Sequence, residues 1–238
     1  MRALKHVAEH AKIFIFSNAV AARLANDALT PDIAPPWAVA THIGMPSSAA
    51  APSFQLTQRY RTRFVHVGKL TRERASGALI DALRSIGTRW NSRGFTGITF
   101  VGDVAPSFRR ACAYLEQTGL VDFTGELPPE SAQAIGRAAK ALVVIEADMD
   151  ESPFLASKFA DYAMLKKPIL AICPPGPMRD LLESHGGGIA VPHESAEIVG
   201  AIDALLGSSF KEGSETLASE FAAKSVVSQY LAAFRRLL

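Results

Sequence analysis

Cysteine is nearly absent, with only Cys112 and Cys173 in the chain. Neither has a CxxC neighbour or metal-like spacing, so both read as small buried hydrophobes of a reducing compartment. Long apolar runs are missing too, and none approaches the roughly 20 residues of a membrane span. The opening MRALKHVAEHAKIFIF holds an acid and histidines and no long apolar core, which argues against a signal peptide. A cytoplasmic location is the expectation. An excess of one charge is also lacking: 25 Lys and Arg face 23 Asp and Glu, a formal +2. That total does not indicate a nucleic-acid partner. No segment repeats at a fixed period, which excludes a solenoid. Metal-ligand clusters are thin, and the Asp148-Met149-Asp150 string has no flanks that suggest a metal.

What is present is an apolar chain of 238 residues, 48% hydrophobic, long enough for one large α/β domain or one domain and a piece of another. Residues 2–10 look like the end of a helix. KIFIF (12–16) reads as a short buried strand, and Ser17 or Asn18 can cap the helix NAVAARLANDAL. Residues 31–53, rich in Pro, Ala and Ser, read as a connector carrying one short strand, WAVATHIG. A boundary falls near 44–62. From Arg63 the pattern becomes regular. The expected strands are RFVHVG, GITFVG, LVDFTG, ALVVIEA, PILAIC and GGIAV, each followed by a helical segment. Strict βα alternation with continuous apolar strands predicts a doubly wound parallel sheet of about six strands over roughly 63–191, plus an N-terminal α–β–α fragment.

Ligands of such sheets bind at the carboxyl ends of the strands. Five loops lie there: GKLTRER (68–74), GDVAPS (102–107), GELPPE (125–130), EADMDESPF (146–154) and CPPGP (173–177). The first places Gly68 directly after a strand, with Lys69 and Arg74 around the turn. Glycine lets the backbone approach a ligand, and the cations favour a diphosphate. The loop is neither a Walker loop nor a GxGxxG fingerprint, and an ordinary turn with solvated charges explains it as well. The basic run of residues 59–74 is, in general, more often a solvated face.

The fourth loop is more specific. Ser152-Pro153 reads as an N-cap followed by proline at the first helical position, so a helix terminus near Pro153 becomes an anion site. Ser157, Lys158 and Asp161 then share one helical face, and Asp161 is placed for a ribose diol. The plain alternative is a solvent-facing Lys158–Asp161 pair worth a few tenths of a kcal/mol. A lone histidine such as His42 or His66 is more often structural, and His185 and His193 read as turn residues.

In their order, VGKLTRERASGALIDAL, ITFVGD, VDFTGELPPESAQAIG and SKFADYAMLKKPIL resemble the C-terminal, donor-binding half of a GT-B glycosyltransferase, nearest to the group-one, or family-four, type. The likeness covers roughly residues 63–206. It implies a Rossmann-like domain over 63–238, a linker over 45–62, and a remnant of an acceptor domain with its crossover over 1–44. It implies that Gly68, Lys69 and Arg74, with Phe154 and Leu155 at the helix terminus, hold the donor's diphosphate. Asp161, seven residues before Pro168, would hold the ribose, with Glu151, Ser157 and Lys158 beside the ribose and sugar. Gly102, Gly125, Glu126 and Leu127 would meet the base, mostly through backbone groups. The implied partners are a nucleotide-sugar donor and an acceptor of unassigned kind. Neither a metal nor another cofactor is implied, no catalytic base is assigned, and peripheral membrane association stays open.

Three positions depart from the family pattern. Asp161 stands where a glutamate is usual. An earlier glutamate that contacts the sugar falls at Pro153, two residues from Glu151, and Lys166 replaces the glycine before Lys-Pro. The competing readings are a non-catalytic nucleotide-sugar-binding module and a protein like the UDP-sugar 2-epimerases.

Overall fold

Residues 2–30, 33–45, 52–207, 210 and 212–237 are described by a computed structural model. The chain opens with α1 (Arg2–Ala8), β1 (Phe14–Phe16), α2 (Ala19–Asp27) and β2 (Trp37–Val39). Strand β1 pairs with β2 in parallel, so the N-terminal piece is a small βαβ unit with a leading helix. Asn18 caps α2, its side chain accepting from Ala21 N–H.

The stretch expected as a linker holds a helix, α3 (Phe54–Tyr60), capped by Ser53. It packs on the later helix at residues 129–138 and buries Tyr60. Residues 46–51, also within that stretch, lie outside the described residues.

Then the regular alternation follows: β3 (Arg63–Val67), α4 (Gly77–Ile86), a 3-10 turn (Gly87–Arg93) and β4 (Gly97–Val101). Next come α5 (Pro106–Ala111), α6 (Ala113–Gln117), β5 (Val121–Gly125), α7 (Pro129–Ala138) and β6 (Ala141–Ile145). The order continues with α8 (Ser157–Met164), β7 (Ile169–Ile172), α9 (Pro177–His185), β8 (Gly188–Val191) and α10 (Ser195–Leu206). Two helices close the chain, α11 (Glu215–Glu220) and α12 (Ala223–Arg235).

Strands β3 to β8 form one parallel sheet of six in the order β5-β4-β3-β6-β7-β8. Both faces are buried, as the near-continuous apolar strands require. Successive residues alternate between faces: Phe64, Val143 and Leu170 pack under α4 and α10, while Val65, Leu142 and Ala171 pack under α7 and α8. The expected fold class is therefore the observed one.

The strand order reverses between β3 and β6. Chain order runs outward from β3 through β4 to β5, then returns to place β6 on β3's other side. The registered pairing of β3 with β6 covers only Phe64↔Ala141 and Val65↔Leu142. Beyond it His66, fully buried, bridges the strands, its Nδ1 lying 3.0 Å from Val143 O. A crevice at such a switch point is the standard ligand position in an open parallel sheet. No helix among the described residues is long and apolar enough to cross a membrane.

Candidate functional site

The carboxyl ends of β3, β4 and β5 are stitched edge to edge by backbone. Gly68 N donates to Val101 O (2.7 Å) and Gly102 N to Gly125 O (2.8 Å). Gly68 and Gly102 hold φ of +102° and +128°, the region where a side chain is strained. A Cβ on Gly102 would meet Gly68 O at 2.7 Å, so only glycine permits this approach. Leu70 N then donates to Asp103 O and Ala105 N to Leu70 O, locking the first loop against the second. The expected base residues lie beside this seam. Gly102, Glu126 and Leu127 line a cavity of about 280 Å³ with Gly68 and Lys69. Gly125, Gly102 and Glu126 line an adjoining one of about 430 Å³, where Arg109 stacks over Phe123.

At the switch point Arg74 and Lys158 come together, with Lys69 on the adjoining rim. Arg74 reaches Glu146, at the end of β6, with Nε 2.9 Å from Oε1 and Nη2 3.2 Å from Oε2. That carboxylate is 2% exposed and also accepts from Ala147 N–H. Lys69 pairs with Asp103 at 3.0 Å on the surface. Lys158, from α8, lays its ammonium over Gly68, with Nζ 3.2 Å from Lys69 O and 3.2 Å from His66 Nε2. Because Val143 O can only accept, His66 carries its proton on Nδ1, and Nε2 accepts from Lys158. Burial first, and Lys158 second, drive the His66 pKa down to about 3, so the ring is neutral. Burial and then Arg74 push Lys158 down to about 8, against the pull of Glu146.

The first loop meets the opening residue of the fourth through Arg74 and Glu146, and Lys158 of α8 reaches the Lys69 carbonyl there. The helix terminus, however, is not at Pro153. Helix α8 begins at Ser157 with Ala156 as its N-cap, and no side chain caps it. Ser152 instead closes a local turn, its Oγ accepting from Phe154 N–H at 3.1 Å. Phe154 is 52% exposed with that N–H engaged, and Leu155 is a core residue whose carbonyl accepts from His42 Nε2. The anion-binding terminus expected at residues 153–155 is absent for that reason. Glu151 points to Arg23 of α2 in an exposed pair at 2.5 Å. Ser157 is exposed at the start of α8. Asp161 does not pair with Lys158; its Oδ1 accepts from Met45 N–H of the crossover at 2.9 Å.

Two participants escaped the sequence reading. Glu146 opens the fourth loop, yet its role as the buried partner of Arg74 depends on the β3–β6 pairing. His193, read as a turn residue, sits between Ser76 Oγ (3.0 Å) and Glu146 O (2.9 Å), tying the cap of α4 to the end of β6. The Asp148-Met149-Asp150 string forms no acid cluster close enough for a metal; among the described residues such a group is His6, Glu9 and His10, exposed at the N-terminal helix.

No protein-family model matches the chain, and no curated protein matches it. Solved structures do. Anabaena Alr3699/HepE, in complex with UDP and glucose, superposes with a TM-score of 0.67 at 18% identity, over 99% of this chain and 66% of that one. The fold is that of the GT-B glycosyltransferases. Sucrose-phosphate synthase from Thermosynechococcus elongatus gives 0.68 at 17% identity, over 98% of this chain and 60% of its own. A mutant of S. aureus TarM, in complex with Fondaparinux, alpha-GlcNAc-glycerol and UDP, gives 0.68 at 12% identity, over 98% of this chain and 46% of its own. The chain thus spans about half to two-thirds of the GT-B proteins it matches.

Proposed function

We propose that this chain is the donor-binding half of a glycosyltransferase that transfers a sugar from a nucleotide-diphosphate sugar. One observation carries the reading: at the switch point of a GT-B sheet, Lys69, Arg74 and Lys158 surround a glycine-lined rim, and two cavities open beside it at the ends of β4 and β5. The rim suits a diphosphate and the cavities suit a base. Matched proteins were captured with UDP and with UDP-glucose, which supports a nucleotide-sugar donor. Fixed cations at the departing diphosphate stabilise the charge that develops as the glycosidic bond breaks, so the proposed donor site requires no metal.

Asp161 is proposed to accept hydrogen bonds from the ribose hydroxyls. With α8 starting at Ser157, it lies about 6 Å along the helix axis at 1.5 Å per residue, one turn from the terminus. Asp161→Asn keeps an oxygen acceptor for Met45 N–H and removes the charge-assisted bonds. Nucleoside and nucleoside-diphosphate affinities should both fall, by about 1.5–3 kcal/mol. Calorimetry with UDP, GDP, ADP and their nucleosides checks this. Unchanged affinities would leave Asp161 as a clamp for the crossover alone.

A further inference from the structure

We infer that Lys158 is a further cation of the diphosphate site, added to Lys69 and Arg74, which stand in ion pairs. The inference rests on the donor-binding reading above. Arg74 is held by the buried Glu146, and Lys69 stands in an exposed pair with Asp103. Among the described residues no carboxylate forms an ion pair with Lys158; the partners of its ammonium are the His66 ring and the Lys69 carbonyl, both neutral. An ammonium has three N–H donors, and two are committed to those acceptors. The third is left for a ligand oxygen. Room for the ammonium comes from Gly68: a Cβ there would lie 3.3 Å from Lys158 Nζ.

His66 acts as a positioning residue. Its proton is fixed on Nδ1 by Val143 O, so Nε2 presents a lone pair that aims the ammonium across the rim. The groups facing Lys158 are His66 from β3, Lys69 and Arg74 from the next loop, and Glu146 from β6. Asp161 lies one turn further along Lys158's own helix. Burial and then Arg74 outweigh the pull of Glu146, so the ammonium titrates at about 8. A bound diphosphate adds negative charge beside the ammonium and raises that value. Linkage then requires proton uptake when the diphosphate binds near pH 8.5, and affinity that falls as pH rises through about 8.

The test is calorimetry of the full chain at pH 7 and 8.5, in two buffers of different ionisation enthalpy. The probes are UDP, GDP, ADP, their nucleosides and inorganic pyrophosphate. Lys158→Met should weaken the diphosphates and pyrophosphate by about 10- to 100-fold. It should leave nucleosides unchanged and abolish the proton uptake. Lys158→Arg, which stays charged, should retain affinity and lose the uptake. This variant and the wild type decide the matter even if Lys158→Met does not fold. Diphosphate affinity unchanged in Lys158→Met, or proton uptake that persists in Lys158→Arg, would overturn the assignment to Lys158 and leave donor binding standing. Failure of the wild type to bind any diphosphate or pyrophosphate would overturn both.

Discussion

Lys166 shows how a single residue can record a departure in both sequence and backbone. It is the one non-glycine among the described residues with positive φ, +53°. It follows Leu165, the C-cap of α8, at the position where helices favour glycine. In the GT-B sequences that this stretch resembles, a glycine stands there. A left-handed L-residue is strained by about 1–2 kcal/mol. The exposed pair with Glu215 at 2.5 Å returns little of that. Lys166→Gly should therefore raise stability by about 1 kcal/mol in urea unfolding, the strain relief exceeding glycine's extra chain entropy. A lower midpoint would mean that the Glu215 contact outweighs the strain. The site was only partly legible at this scale. Lys69 and Arg74 could be named from their spacing around Gly68. Their partners could not, because Asp103 and Glu146 lie on other strand ends and meet them only through the sheet.

Helix α8 shows where local signals mislead. Strands were readable because a two-sided parallel sheet demands unbroken apolar runs, and each run from RFVHV to GIAV became a strand. The start of α8 was misplaced because Ser-Pro carries two valid readings. A serine hydroxyl can cap a helix or close a turn two residues on, and Ser152 does the second. The helical segment after β4 divides at Cys112 into α5 and α6. What α8 does for the site runs through Tyr162. Its hydroxyl accepts from Val67 N–H at 2.7 Å and donates to Val67 O at 3.2 Å, so the helix grips the end of β3 one residue before Gly68. Burial pushes the Tyr162 hydroxyl pKa up, and it stays a phenol at neutral pH. Tyr162→Phe leaves both Val67 groups without that partner and should destabilise the chain by about 1–3 kcal/mol. Urea unfolding measures it; an unchanged midpoint would show that solvent replaces the hydroxyl freely.

At the scale of the molecule, the question is what joins the N-terminal βαβ unit to the large sheet. Asn18 Nδ2 donates to Pro153 O, His42 Nε2 to Leu155 O, and Met45 N to Asp161. Gln229 of α12 accepts from Thr41 N. Three of these four contacts converge on the fourth loop and α8, so the crossover reports directly on the site. Gly44 is the tightest point. Its N–H donates to Phe221 O, and a Cβ would meet Met164 Cγ at 2.5 Å and Ala160 O at 2.6 Å. Met164 could swing aside, but the Ala160 carbonyl is fixed in the helix. Gly44→Ala should therefore lift the crossover from α8, at about 1–3 kcal/mol by the scale of overpacked cores. Because Met45 follows directly, its bond to Asp161 should be lost with it. Arg23→Ala serves as the control: its pair with Glu151 is exposed at both ends, so the unfolding midpoint should not move. Urea unfolding of both variants, with limited proteolysis around residues 40–45, gives the comparison. A Gly44→Ala protein as stable and as protease-resistant as the wild type would show that the crossover does not rest on α8 in solution. Proteolysis near residue 45 with the large sheet intact would show the opposite: a separable N-terminal unit held by the contacts around Gly44.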